Sequence, residues 1–123
     1  MGEPVTFFEV LSPDKERAQK FYAELFGWQV MPVPELDGYG FVDTGAGEGL
    51  ASGGVGGPSA ELGETGVKIY VRVDDLDGFL ERAEQLGGRR LVPPTDLPGD
   101  FGRFAIFADP DGNPFGLWRT AGT

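Results

Sequence analysis

Twice along the chain a strand is followed by an amphipathic helix and then by three further strands, and this repeated order is the strongest constraint on the fold. Residues 5–11 (VTFFEVL) are β-branched and aromatic, as a strand requires. Residues 13–26 place Ala18, Phe21, Tyr22 and Leu25 at helical spacing, with Ser12 as the expected N-cap, Pro13 at the first helical position and Gly27 as the stop. Strands are expected at 28–34, at 39–45 and, after an AGEG turn, in the glycine-rich stretch 49–57; a polar segment (57–66) follows. The order then restarts with a strand at 67–73. Asp74 or Asp75 caps a second helix, in which Leu76, Phe79, Leu80, Ala83 and Leu86 form an apolar stripe and Gly87-Gly88 the stop. Strands at 89–94, 103–108 and 114–119 complete it, with a loop at 95–102 and a tight DPDGN turn at 109–113. The helices begin about 60 residues apart, which points to an internal duplication. A half-length unit buries too little apolar surface to stand alone. One α+β domain is therefore expected, built from βαβββ modules at 1–57 and 66–119 with a linker at 58–65.

Alternation within the first strand of each module assigns its faces. Phe8 and Val10 point one way and Phe7 and Glu9 the other; Ile69, Val71 and Val73 oppose Lys68, Tyr70 and Arg72. An apolar back facing a helix and a polar-aromatic front predict that the front carries the function. Composition narrows what that function can be. The chain has no cysteine, which excludes disulfides, thiolate nucleophiles and Cys-ligated metal. It has no histidine, which removes the commonest metal ligand and acid-base group and leaves only a cation site built from oxygens. Neither a Ser/His/Asp nor a Cys/His constellation can form. The formal net charge of −10 opposes nucleic acid and anionic membranes and favours a neutral or cationic ligand. The opening MGEPVTFFEV lacks the pattern of a signal peptide, and no apolar run reaches the roughly 18 residues of a membrane span, so a cytoplasmic location is expected.

Three segments resemble the glyoxalase / bleomycin-resistance / dioxygenase (vicinal oxygen chelate) superfamily: FEVLSPDKERAQKFYAELFGWQV (8–30), VRVDDLDGFLERAEQLGG (71–88) and FADPDGNPFGLW (107–118). The resemblance implies two βαβββ modules whose curved mixed sheets enclose a ligand cup, and a homodimer. In metal-dependent members it implies four ligands, two from each half. Counted from the helix-opening Asp14 and Asp75, two of these positions are Phe7 and Lys68; the position after the DPDG turn is Gly116; the remaining one lies near Ser52, Gly53 or Gly54. All four depart from the ligand pattern, so no metal and no other cofactor are expected.

Three readings of the cup remain open. In the first, Phe7, Glu9, Lys68, Tyr70, Arg72, Phe101, Arg103, Gly116 and Trp118 bind or sequester a small molecule, with Phe101 on a loop suited to a lid. In the second, the chain is a metal-independent isomerase or lyase, with Glu9 as the base and Lys68 or Arg72 stabilising an oxyanion. In the third, the cup is filled by its own side chains and the protein is a dimeric interaction module.

Overall fold

A computed structural model of the chain describes residues 2–45, 52–59, 62–99 and 101–120. The element order is β1 (Val5–Leu11), α1 (Lys15–Phe26), β2 (Gln29–Val33), a 3-10 turn (Pro34–Leu36), β3 (Tyr39–Asp43), β4 (Ser52–Gly56), β5 (Gly66–Arg72), α2 (Leu76–Gln85), β6 (Arg89–Asp96), β7 (Arg103–Ala108) and β8 (Pro114–Arg119). The fold is α+β with mixed strand pairing, as the repeated order requires. The chain forms two compact units, one over Thr6–Lys68 and the other from Ile69 onward together with the residues up to Val5. The AGEG turn and the first residues of the expected glycine-rich strand lie outside the described residues.

The first unit pairs its strands in the order β2-β3-β4-β1. β1 and β4 run parallel, with Phe8 beside Gly53 and Glu9 beside Gly54, while β2/β3 and β3/β4 are antiparallel. The second unit repeats this plan as β5-β8-β7-β6, with β5/β8 parallel and the remaining pairs antiparallel. Like residues in like order thus give the same topology in both units.

Helix α1 begins differently from the expectation. Its N-cap is Asp14, whose carboxylate accepts the Arg17 N–H at 3.1 Å; Ser12 instead accepts the Asp14 N–H at 3.0 Å, and Pro13 precedes the helix. A carboxylate is the stronger acceptor for a helix N-terminus and is favoured there by the helix dipole. Gly27 ends the helix in the left-handed conformation (φ 71°) and donates its N–H to Ala23. The buried face also has a different phase. Phe21 and Leu25 are more than half exposed, while Gln19 is buried and donates to the Gly38 and Val55 carbonyls at 3.0 and 2.9 Å. A buried amide is tolerated because these bonds satisfy it, and they fasten α1 to β4.

In the second unit, Asp75 caps α2 by accepting the Gly78 N–H at 3.0 Å. Leu76 and Leu80 pack with Val73, Ala105 and Leu117, flanked by Val71, Phe79 and Phe107. Leu86, expected in the stripe, is exposed, because the helix closes just before it. β6 runs two residues further than expected: Thr95 and Asp96 pair with Phe104 and Arg103, across register shifts near Pro93-Pro94. Proline cannot donate to a ladder, and β6 has its single described neighbour in β7, so the shifts fall at an edge that tolerates them.

Candidate functional site on the front of the first unit

Strand alternation sends Phe7 and Glu9 from β1 to the face opposite Phe8, whose ring packs on Trp28 at 5.4 Å. Tyr39 and Phe41 of β3 reach the same front. Phe7 meets Phe41 edge-on at 6.1 Å, and Tyr39 meets Phe41 edge-on at 5.5 Å. These geometries match the attraction between a ring's positive edge and another ring's negative face. All three of these rings are half-buried.

Glu9 is the polar centre of this face. It is 9% exposed; Lys68, at the start of β5, is 3% exposed. The ammonium lies 3.1 Å from Glu9 Oε1, and the Tyr39 hydroxyl donates to Glu9 Oε2 at 2.6 Å. Each carboxylate oxygen therefore has a donor, one of them cationic. Attraction at this depth offsets the desolvation of both charges only with such extra hydrogen bonding.

Two glycines of β4 make the Tyr39 contact possible. A Cβ on Gly54 would fall among the Tyr39 ring and hydroxyl atoms, and one on Gly56 would meet the other edge of the ring. The phenol thus lies flat on β4 and spans from β3 to β1. On the opposite face, a Cβ on Gly53 would collide with the Phe8 ring. The glycine-rich strand is a floor for rings on both sides.

The remaining predicted residues lie in the second unit. Tyr70 is buried, with its ring over Gly116 so that no Cβ fits there. The Trp118 indole N–H donates to the Phe101 carbonyl at 2.8 Å, and Leu97 donates to Gly102 at 2.8 Å, tying the loop that carries Phe101. Arg103 pairs with Asp96 at 2.7 Å at the surface. Arg72 is exposed, and its backbone N–H donates to Pro4. Phe7, Glu9 and Lys68 are therefore brought together in one unit, and Tyr70 with Gly116 and Phe101 with Trp118 in the other. Sequence reasoning does not single out Tyr39 and Phe41. The signal that could have found them is their shared parity in YGFVD, opposite a strand of glycines.

Of the positions matching metal ligands, Phe7 carries a ring and Lys68 an ammonium, and Gly116 lies under the Tyr70 ring; of the three candidates for the remaining position, Gly53 and Gly54 lie under the Phe8 and Tyr39 rings and Ser52 is exposed. Among the described residues no three of Asp, Glu, His and Cys converge. The DPDGN segment is a closed turn. Asp109 accepts from the backbone of Asp111 and Asn113 and from the Asn113 side chain, and these bonds, the side-chain one foremost, hold its carboxyl below the usual range.

The sequence profile of the Glyoxalase-like domain family matches residues 7–118. CFP32 of Mycobacterium tuberculosis, provisionally named a glyoxylase, is 34% identical over 121 residues, covering 96% of this chain and 46% of that protein. DnrV of Streptomyces peucetius, named an anthracycline biosynthesis protein, is 33% identical over 132 residues, covering 96% of this chain and 47% of that protein. The chain spans about half the length of these curated relatives. A glyoxalase/bleomycin resistance protein/dioxygenase superfamily member from Vibrio splendidus shares the fold, with a TM-score of 0.64 at 17% identity over 97% of this chain and 99% of that one.

Proposed function

Since the chain belongs to the glyoxalase-like domain family, we propose that it binds a small, planar, uncharged organic molecule against the front of its first unit, without a metal ion. The observation that carries this reading is the buried Glu9, held by Lys68 and Tyr39 beside the half-buried rings of Phe7 and Phe41. The Glu9 and Lys68 charges cancel locally, so the face favours a neutral ligand over the cation that the overall charge suggests. Half-buried rings next to a few fixed polar groups are what a small-molecule site uses for affinity and orientation. An aromatic ligand also agrees with the name of DnrV, since anthracyclines are polycyclic aromatics. Engagement of both Glu9 oxygens supports binding over proton abstraction. The domain division at 58–65, a homodimer and a cytoplasmic location belong to the same reading; among the described residues no helix is long and apolar enough to cross a membrane.

The test is a thermal-shift and calorimetric screen of naphthalene-type compounds, with and without Mn²⁺, Ni²⁺ or Zn²⁺. A native-state ligand raises the melting temperature. Stabilisation by the aromatic compound and none by the metals is expected. Stabilisation by metal alone would refute the reading.

A further inference from the structure

Strand register extends the front of the first unit beyond the residues grouped above. Glu9 of β1 lies beside Gly54 of β4, Gly54 beside Phe41 of β3, and Phe41 beside Met31 of β2. Residues directly opposite on neighbouring strands share a face, so these four form one row. The Tyr39 ring lies over Gly54 within it. Strands stand about 4.8 Å apart, and three steps put Met31 roughly 14 Å from Glu9.

The row is graded from one end to the other. Glu9 is buried, Phe41 and Tyr39 are half-buried, and Met31 is 59% exposed. β2 ends the strand order. The row is thus polar and closed at Glu9, and apolar and open at Met31. A single exposed methionine is ordinary on a protein surface; one in register with a line of rings extends that line. Its unbranched chain adapts to whatever is laid on it, and its sulfur packs well against a ring edge. A two-ring compound resting on Tyr39 and Phe41 stops short of Met31. One more linearly fused ring reaches it.

We propose that Met31 is the residue that sets ligand length on this face, and that the front takes planar molecules of three or more linearly fused rings, laid across its strands, in preference to two-ring ones. This rests on the aromatic-ligand reading above and deepens it. The inner end of the molecule lies by Glu9 and the outer end against the Met31 thioether. The contact that sets the length preference comes from a side chain more than half of which faces solvent.

The experiment compares 2-naphthol with 2-hydroxyanthracene, which carries the same hydroxyl and one further fused ring. Each is titrated, by its own fluorescence, into the wild-type protein, Met31→Ala and Leu25→Ala. Leu25 is also 59% exposed but sits on α1, whose rings pack with Trp28 and Phe8 on the opposite face. The wild type is expected to bind 2-hydroxyanthracene the more tightly. Met31→Ala should weaken that compound about two- to tenfold, the loss to which one sulfur–ring contact corresponds, and leave 2-naphthol unchanged. Leu25→Ala should change neither. In NMR the Met31 methyl, one of two methionine methyls in the chain, should move with 2-hydroxyanthracene and stay in place with 2-naphthol. Should Met31→Ala fail to fold, that methyl decides. In a folded Met31→Ala, an equal loss for both compounds or no loss for 2-hydroxyanthracene overturns the proposal. So does an equal effect of Leu25→Ala, an unmoved Met31 methyl, or a wild type that prefers 2-naphthol. In each of these cases the aromatic-ligand reading stands. A wild type that binds neither compound overturns both.

Discussion

The Glu9–Lys68 pair is the residue-scale feature with the largest energetic consequence. Lys68→Met removes the cation 3.1 Å from a buried carboxylate, and breaking such a pair costs about 3–5 kcal/mol. Urea denaturation should show that loss. Replacing both charges with apolar residues should restore most of the stability, since a well-packed apolar pair is often as stable as the ion pair it replaces, while ligand binding stays lost. Asp109 gives a pH effect of defined sign. Its folded-state pKa is lowered, chiefly by the Asn113 side chain. Its contribution is therefore fully present above its unfolded pKa and disappears as pH falls through the folded one. Asn113→Ala should raise the Asp109 pKa, read by carboxyl NMR titration, and flatten the acid limb of the stability curve; an unchanged titration would show that the turn does not hold it. Period-two alternation makes Glu9 and Lys68 legible as front residues. Tyr39 is not legible in the same way, because its role depends on which glycine lies beneath it, and strand pairing is not written locally.

At the scale of elements, repetition and capping chemistry carry most of the information. Strand and helix order follows from β-branched runs, the helical spacing of apolar residues and the Gly27 and Gly87-Gly88 stops. The phase of α1 follows only in part: Ala18 and Tyr22 of the expected stripe are half-buried, while Phe21 and Leu25 are exposed. The buried position is taken by Gln19, which trades burial for bonds to two carbonyls. The end of β6 is equally hard to place, since proline reads as a terminator at Pro94, yet an edge with register shifts accommodates it. The glycines of β4 and β8 read as weakness but are space. Gly116→Ala should cost roughly 1–3 kcal/mol by driving a methyl into the Tyr70 ring. Gly57→Ala, where a Cβ meets nothing within 4 Å, should be near neutral. Equal melting temperatures for the two variants would contradict that use of the glycines.

On the scale of the whole molecule, the repeated element order and three motifs suffice to identify the superfamily, and the family match over residues 7–118 agrees. The lack of histidine and cysteine excludes imidazole and thiolate groups of this chain as metal ligands or nucleophiles. A ligand class is not readable from composition or motif, because it depends on which rings and hydrogen bonds converge once the strands pair. The most direct measurement of the central claim is a backbone and side-chain NMR titration with 1-naphthol in the presence of EDTA. The account predicts that the largest shift changes cluster on Phe7, Glu9, Tyr39, Phe41, Gly54 and Lys68 and persist without metal. Changes centred elsewhere, or appearing only when a divalent cation is supplied, would contradict it.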